Sequence, residues 1–340
     1  MYMIRIGIIG YGYWGRKLAT EFSNLHNVNL TCICDINSKN LKEAHEHYNN
    51  AKLTINYQDL IDDTQIDAVI IATPIHTHYK LALAALKAEK HILVEKPLVT
   101  NFNEALEIQE IAEKKNKIVM VDYTPIYSSA TKMLLGLVEQ GELGNIVYLN
   151  SNRTNFGSND LKSSVVWDLA VHDLALISYL LPVRLIAVSA VSSGYFDNNI
   201  PTIAHINLFF EGNITAHIYV NNITTEKLRH VTIAGNRKVA VFDDCLMHDK
   251  VKLYEVGIDD INDKAKYMTI KTNVSNTAHS LSVGHNDGLT IMAAHFIECI
   301  EHNRLPRTNA QNSLKLIYIL ELVEKSIRLR GQETLVNKYI

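Results

Sequence analysis

IRIGIIGYGYWG, residues 4–15, runs from an apolar, β-branched segment into three closely spaced glycines, and a helical pattern over residues 14–25 begins at once. A strand that ends in Gly10, Gly12 and Gly15 and continues as a helix lets backbone N–H groups approach a pyrophosphate at the helix N-terminus. Tyr13 and Trp14 lie inside that turn and are counted with it on the nucleotide side. Alone, Gly-x-Gly-x-x-Gly is a weak signal, because many such runs are incidental turns. Asp35 sharpens it, standing at the end of the next strand about twenty residues beyond Gly15. A carboxylate there accepts from both hydroxyls of an adenosine ribose and repels a 2′-phosphate, which favours NAD over NADP.

Outward from this turn, IRIGII, NLTCICD, IDAVIIAT, KHILVE and KIVMVD read as strands. Helical spacing fills residues 14–25, 37–48, 77–89 and 102–115 between them, the last opened by a capping pair of Asn101 and Glu104. Such alternation builds a doubly wound parallel sheet of Rossmann type, expected over residues 1–122. A different pattern follows a helix near 126–140. Residues 143–155 and 184–256 read as successive strands, with turns at 197–201, 211–213 and 235–238 and one helix around 168–181. Strands without intervening helices imply an open, mostly antiparallel sheet, so the expected fold class is α/β with a second α/β domain over 123–340. Residues 257–284 are polar and read as a surface loop, and helices near 285–302 and 309–330 close the chain, the last of them expected to pack back on the first domain.

Bulk composition narrows the partners. The chain has 340 residues, 47% hydrophobic and 20% charged, with a formal net charge of −3, which suits two folded domains and gives no electrostatic case for nucleic acid or an acidic membrane surface. Its opening MYMIRIGIIG has Arg5 within the apolar run, and no run approaches a membrane span of roughly 18 residues. Four cysteines without Cys-x-x-Cys spacing suit a reducing compartment, so a cytoplasmic protein is expected.

Two segments carry acid–base chemistry. Glu95, Lys96 and Pro97 fall at the carboxyl end of the fifth strand, the edge of a doubly wound sheet where ligands bind. An ammonium there stabilises an alkoxide-like transition state as hydride leaves a carbinol carbon. In WDLAVHD, residues 167–173, Asp168 and His172 are spaced to share one helix face, so the carboxylate orients an imidazole that accepts the hydroxyl proton. Alone, that spacing more often marks a helix salt bridge; beside Lys96 it points to catalysis. Thr73, Pro74 and His78, in ATPIHTH at the end of the fourth strand, are placed along the cofactor pocket. No metal is expected, because nothing near this segment completes a zinc ligand set.

Together these residues resemble the Gfo/Idh/MocA family of dehydrogenases, over nearly the whole chain. The resemblance rests on the glycine turn, on the Glu-Lys-Pro motif at 95–97 and on the Asp-x-x-x-His pair at 168 and 172. It implies that Lys96 and His172 are the catalytic pair, that Asp168 assists, that Glu95 and Pro97 shape the nicotinamide site, and that the second sheet forms a homodimer or homotetramer interface. A closer likeness, to the UDP-N-acetylglucosamine 3-dehydrogenase type, lies in VEQGELGNIVYLNSNRTNFG (138–157), VVWDLAVHDLALISYLL (165–181) and AGNRKVAVFDD (234–244). It implies oxidation at C3 of a nucleotide-activated sugar, such as UDP-N-acetylglucosamine or its uronate, with Arg153, Asn155, Tyr123 and Trp167 at the substrate. Asp122 and Tyr123 stand where such relatives commonly have Gly and His, and the pocket is expected to differ there. A 3-ketosugar reductase, an inositol or cyclitol dehydrogenase and a catalytically silent NAD-binding sensor are the other readings.

Overall fold

The computed structural model describes residues 3–156, 164–195, 197, 200–257, 273–274, 279–281, 283 and 288–337. The chain divides into two compact units, one of Met1–Tyr127 with Asn286–Tyr318 and one of Ser128–His285 with Ile319–Ile340.

In the first unit the chain alternates β1 (Ile4–Ile9), α1 (Tyr13–Ser23), β2 (Val28–Cys34), α2 (Ser38–His47), β3 (Lys52–Thr54), α3 (Tyr57–Ile61), β4 (Ala68–Ile71), α4 (His78–Lys87), β5 (His91–Glu95), α5 (Phe102–Lys115) and β6 (Val119–Asp122). The strands pair in the order β3-β2-β1-β4-β5-β6, and every pairing is parallel. This is the doubly wound arrangement, with its order reversing between β1 and β4, where such sheets bind nucleotides. Ala68, Val69, Ile70 and Ile71 in β4 are all 0% exposed, as a central strand covered on both faces requires. Later in the chain, α8 (Gly288–His302) packs on α1 in this same unit, with the rings of Phe22 and Phe296 meeting edge to face at 6.1 Å.

The second unit contains α6 (Ser129–Glu139), β7 (Ile146–Thr154), α7 (Val171–Leu180), β8 (Leu185–Ser193), β9 (Ile203–Phe210), β10 (Ile214–Asn221), β11 (Arg229–Gly235), β12 (Lys238–Asp243), β13 (Val251–Gly257), β14 (Asn273–Val274) and β15 (His279–Leu281). Helix α9 (Ala310–Arg328) runs from the first unit into the second, and β16 (Thr334–Leu335) follows. Its sheet runs β14-β13-β12-β11-β7-β10-β9-β8-β16, with β15 also paired to β13. Pairing is antiparallel except between β7 and β10, which are parallel. One face is lined by Leu149, Ala204, Ile206, Ala216 and Ile218, each at most 1% exposed.

Three local expectations are corrected. The span read as plain loop contains β14 and β15, both hydrogen-bonded to β13; the rest of residues 258–287, apart from residue 283, lies outside the described residues. Strand β3 and helix α3 were not legible, being three and five residues long and below the window in which periodicity registers. The helix around 168–181 begins as a π-helical turn over Val166–Ala170, which alters the phase that a uniform helix would give Asp168 and His172.

Candidate active site

Gly10 adopts φ +93°, and a Cβ at that position would lie 2.4 Å from the Ala72 carbonyl oxygen, so only glycine fits. At Gly15 a Cβ would lie 2.0 Å from the Gly10 carbonyl oxygen, which allows α1 to begin directly against the turn. Gly12 meets the opposite condition: nothing lies within 4 Å of the position its Cβ would take, leaving room where a pyrophosphate is expected. The residues therefore fit a dinucleotide. Tyr13 and Trp14 are exposed beside the turn, edge to face at 5.3 Å, with the Lys17 ammonium over both rings.

Asp35 is buried and already engaged. Its Oδ2 accepts from the Tyr11 backbone N–H at 2.6 Å and from the Asn40 side-chain amide at 3.1 Å, while Oδ1 accepts from the Asn37 N–H at 2.7 Å. These donors bind the glycine turn to the end of β2 and hold the carboxylate in place. Asn37 and Asn40 were missed by sequence reasoning. Asn37 carries a signal that could have found it, as the N-cap of α2 two residues after the acid.

Thr73 is half-buried and Pro74 exposed in the connection after β4, and the Thr73 hydroxyl pairs with that of Thr77 at 2.6 Å. His78 is corrected from cofactor contact to brace. It is 1% exposed, and its ring spans the Pro97 carbonyl, 3.0 Å from Nδ1, and the Thr73 carbonyl, 2.8 Å from Nε2. Burial lowers its pKa while the facing carbonyls oppose that shift, and the ring links the connection after β4 to the residues after β5. Lys96 is half-buried just beyond β5, and Glu95 and Pro97 beside it are buried. Burial and the Asp122 carboxyl together raise the Glu95 pKa well above the usual carboxylate range. Tyr123 is also corrected: its phenol is 1% exposed, with Ser313 as neighbour and a pKa raised by burial, which makes it part of the core of this unit.

In the second unit, Asp168 and His172 are half-buried on the π-helical turn and on α7. Asn155 is half-buried just past β7, its backbone N–H donating to the Asn221 carbonyl. Arg153 is not free to hold a diphosphate. Its Nε donates to Asp173 Oδ2 at 2.8 Å and its Nη2 to Oδ1 at 3.0 Å, while Ser151 donates to Oδ1 at 2.8 Å. Guanidinium and carboxylate are both buried, so this bidentate pair fastens α7 to β7. Trp167 is corrected as well: its indole N–H donates to Glu324 of α9 at 2.7 Å, leaving the ring 9% exposed. Among the described residues no group of three or more metal-ligating side chains stands together, and no helix is long and apolar enough to cross a membrane. Burial raises the Cys32 thiol to about 11 and Cys34 to about 12, so neither is a thiolate at neutral pH.

A glycine turn, an acid braced at the end of β2 and a lysine at the carboxyl edge of one parallel sheet define an NAD-binding Rossmann unit, here joined in sequence to a unit built on an antiparallel sheet. Family models agree: an oxidoreductase family with an NAD-binding Rossmann fold matches residues 4–123, and a Gfo/Idh/MocA C-terminal domain matches residues 132–241. The chain belongs to the Gfo/Idh/MocA family. Among curated relatives, an uncharacterized oxidoreductase of Escherichia coli, YdgJ, is 29% identical over 194 residues, which is 54% of this chain and 55% of that protein. The chain thus aligns with about half the length of that relative. Among solved structures, a UDP-N-acetylglucosamine 3-dehydrogenase of Acidithiobacillus ferrooxidans matches with TM-score 0.83 and 21% identity, over 98% of this chain and 100% of that one. A levoglucosan dehydrogenase in complex with NADH and L-sorbose matches with TM-score 0.84 and 20% identity, over 99% and 100%. At these identities the likeness is one of fold.

Proposed function

We propose that this protein oxidises a secondary hydroxyl of a sugar, NAD supplying the hydride acceptor when bound. The observation that carries the reading is Lys96, one residue past β5 at the carboxyl edge of the sheet whose β1–α1 turn leaves space for a pyrophosphate. Hydride loss from a carbinol leaves a hydroxyl proton that must be taken away. Lys96 donates a hydrogen bond to the hydroxyl oxygen as negative charge develops there. His172, oriented by Asp168, accepts the proton and returns it to water. Asp35 meets the adenosine ribose, and Glu95 and Pro97 shape the surroundings of Lys96.

For the substrate, the three stretches quoted above and the UDP-N-acetylglucosamine 3-dehydrogenase neighbour support the C3 hydroxyl of a nucleotide-activated amino sugar. A second reading, an unactivated sugar, is favoured by one observation: the guanidinium assigned to the diphosphate is consumed by Asp173, and the levoglucosan dehydrogenase neighbour acts without a nucleotide in its name. Incubating the protein with NAD and parallel panels of UDP-sugars, free sugars and cyclitols separates them. NADH formation with UDP-sugars alone supports the first reading and formation with free sugars the second. Bound NAD with no NADH from any of the three panels would rule out the dehydrogenase and leave the sensor.

The outward face of the second sheet supports self-association. His205 stacks on His217 at 5.8 Å and on Tyr219 at 4.9 Å, and Val147, Tyr148 and Val191 are exposed on neighbouring strands. Four free cysteines support a reducing, cytoplasmic setting.

A further inference from the structure

Glu95 and Asp122 end adjacent parallel strands and stand opposite each other in register. They are 7% and 4% exposed, so two carboxyl groups are buried side by side at the ends of neighbouring strands. Two carboxylates buried on neighbouring strands in register do not both ionise, because each charge is poorly solvated and repels the other. Their surroundings decide where the one proton sits. Asp122 Oδ1 accepts from both the backbone N–H and the hydroxyl of Thr124, two donors that favour its anion. Glu95 Oε1, by contrast, is buried with no hydrogen-bond partner among the described residues. This asymmetry favours the anion on Asp122 and the proton on Glu95. Lys96, next in the chain, is the cation that acts on both groups.

We infer that Glu95 and Asp122 share one proton and present a single buried negative charge to Lys96, with Asp122 the positioning residue that fixes that charge. Two negative charges would demand the desolvation of both carboxylates, and none would remove the counter-charge that this pair supplies. One places a single buried negative charge beside the Lys96 ammonium. The catalytic consequence rests on the role proposed for Lys96; the charge relation does not, and its test uses neither substrate nor cofactor.

Infrared spectra of the full chain at neutral pH read the shared proton directly. A protonated-carboxyl C=O stretch is expected in the wild type and is lost in both Glu95→Gln and Asp122→Asn, where the new amide donates to the remaining, ionised carboxylate. The rate at which acetic anhydride acetylates Lys96, read by peptide mass spectrometry, reports the charge. Asp122→Asn keeps one negative charge and leaves that rate close to wild type. Asp122→Leu strands Glu95 as a neutral buried acid and raises the rate roughly three- to ten-fold. If the leucine variant fails to fold, the near-isosteric double variant Glu95→Gln/Asp122→Asn supplies the same uncharged pair, and the same rise is expected. Absence of the carboxyl band in the wild type, or equal labelling of the one-charge and no-charge variants, overturns the inference.

Discussion

Removing the Asp173 carboxylate strands a guanidinium that is only 9% exposed. Asp173→Asn is expected to destabilise the second unit by about 3 kcal/mol, in the range for breaking a buried pair from one side, whereas Arg153→Met/Asp173→Leu recovers much of that loss. Urea titration of both variants checks it, and equal losses would contradict the account. His91 gives a pH dependence of definite sign. Its Nδ1 accepts the Ile118 N–H at 3.0 Å, and burial, aided by Lys117, pushes its pKa from 6.5 down to about 4. Since the folded pKa lies below the unfolded one, the unfolded chain takes up the proton first. Stability from this group is whole above pH 6.5 and drains away as pH falls toward 4, by about 3 kcal/mol. His91→Gln, which keeps an acceptor for Ile118, should flatten that part of the stability curve. At this scale, legibility follows sequence distance. Asp35 and Lys96 are marked by strand ends and glycine spacing close to them. The partner that claims Trp167 lies 157 residues away, and no motif spacing links Arg153 to the Asp173 that claims it.

Helix boundaries were readable where a cap writes them into the chain. Asn101 accepts from the backbone N–H groups of Asn103 and Glu104, and α5 spans Phe102–Lys115 as its spacing predicts. Asn101→Ala is expected to cost about 1 kcal/mol and Asn101→Ser much less, read as a shift in thermal midpoint. A loss as large in the serine variant would place the role of Asn101 outside capping. The π-helical turn at Val166–Ala170 was not readable, because the apolar run VVWDLAVHDLALI is buried nearly all round and gives no stripe from which to take a phase. Strands β14 and β15 were hidden for a related reason: edge strands of two and three residues in a polar stretch carry no alternation.

On the scale of the whole molecule, the order of elements made both sheets legible. Helices between strands meant a parallel sheet and bare strand runs an antiparallel one, although the parallel pairing of β7 with β10 follows from topology that spacing does not encode. Asp35 predicts a cofactor preference visible in stability: at equal concentration NAD should raise the melting temperature more than NADP, and Asp35→Ala should narrow the gap. Equal shifts in the wild type would contradict the role given to that carboxylate. The account stands most directly on proton handling at Lys96 and His172. Steady-state NADH production from the best sugar of the panels, alongside calorimetric NAD binding, is the decisive measurement for Lys96→Met and His172→Asn. The account predicts turnover lower by roughly 10²- to 10⁴-fold in each variant with NAD affinity little changed; turnover within a few-fold of wild type in either variant would contradict it.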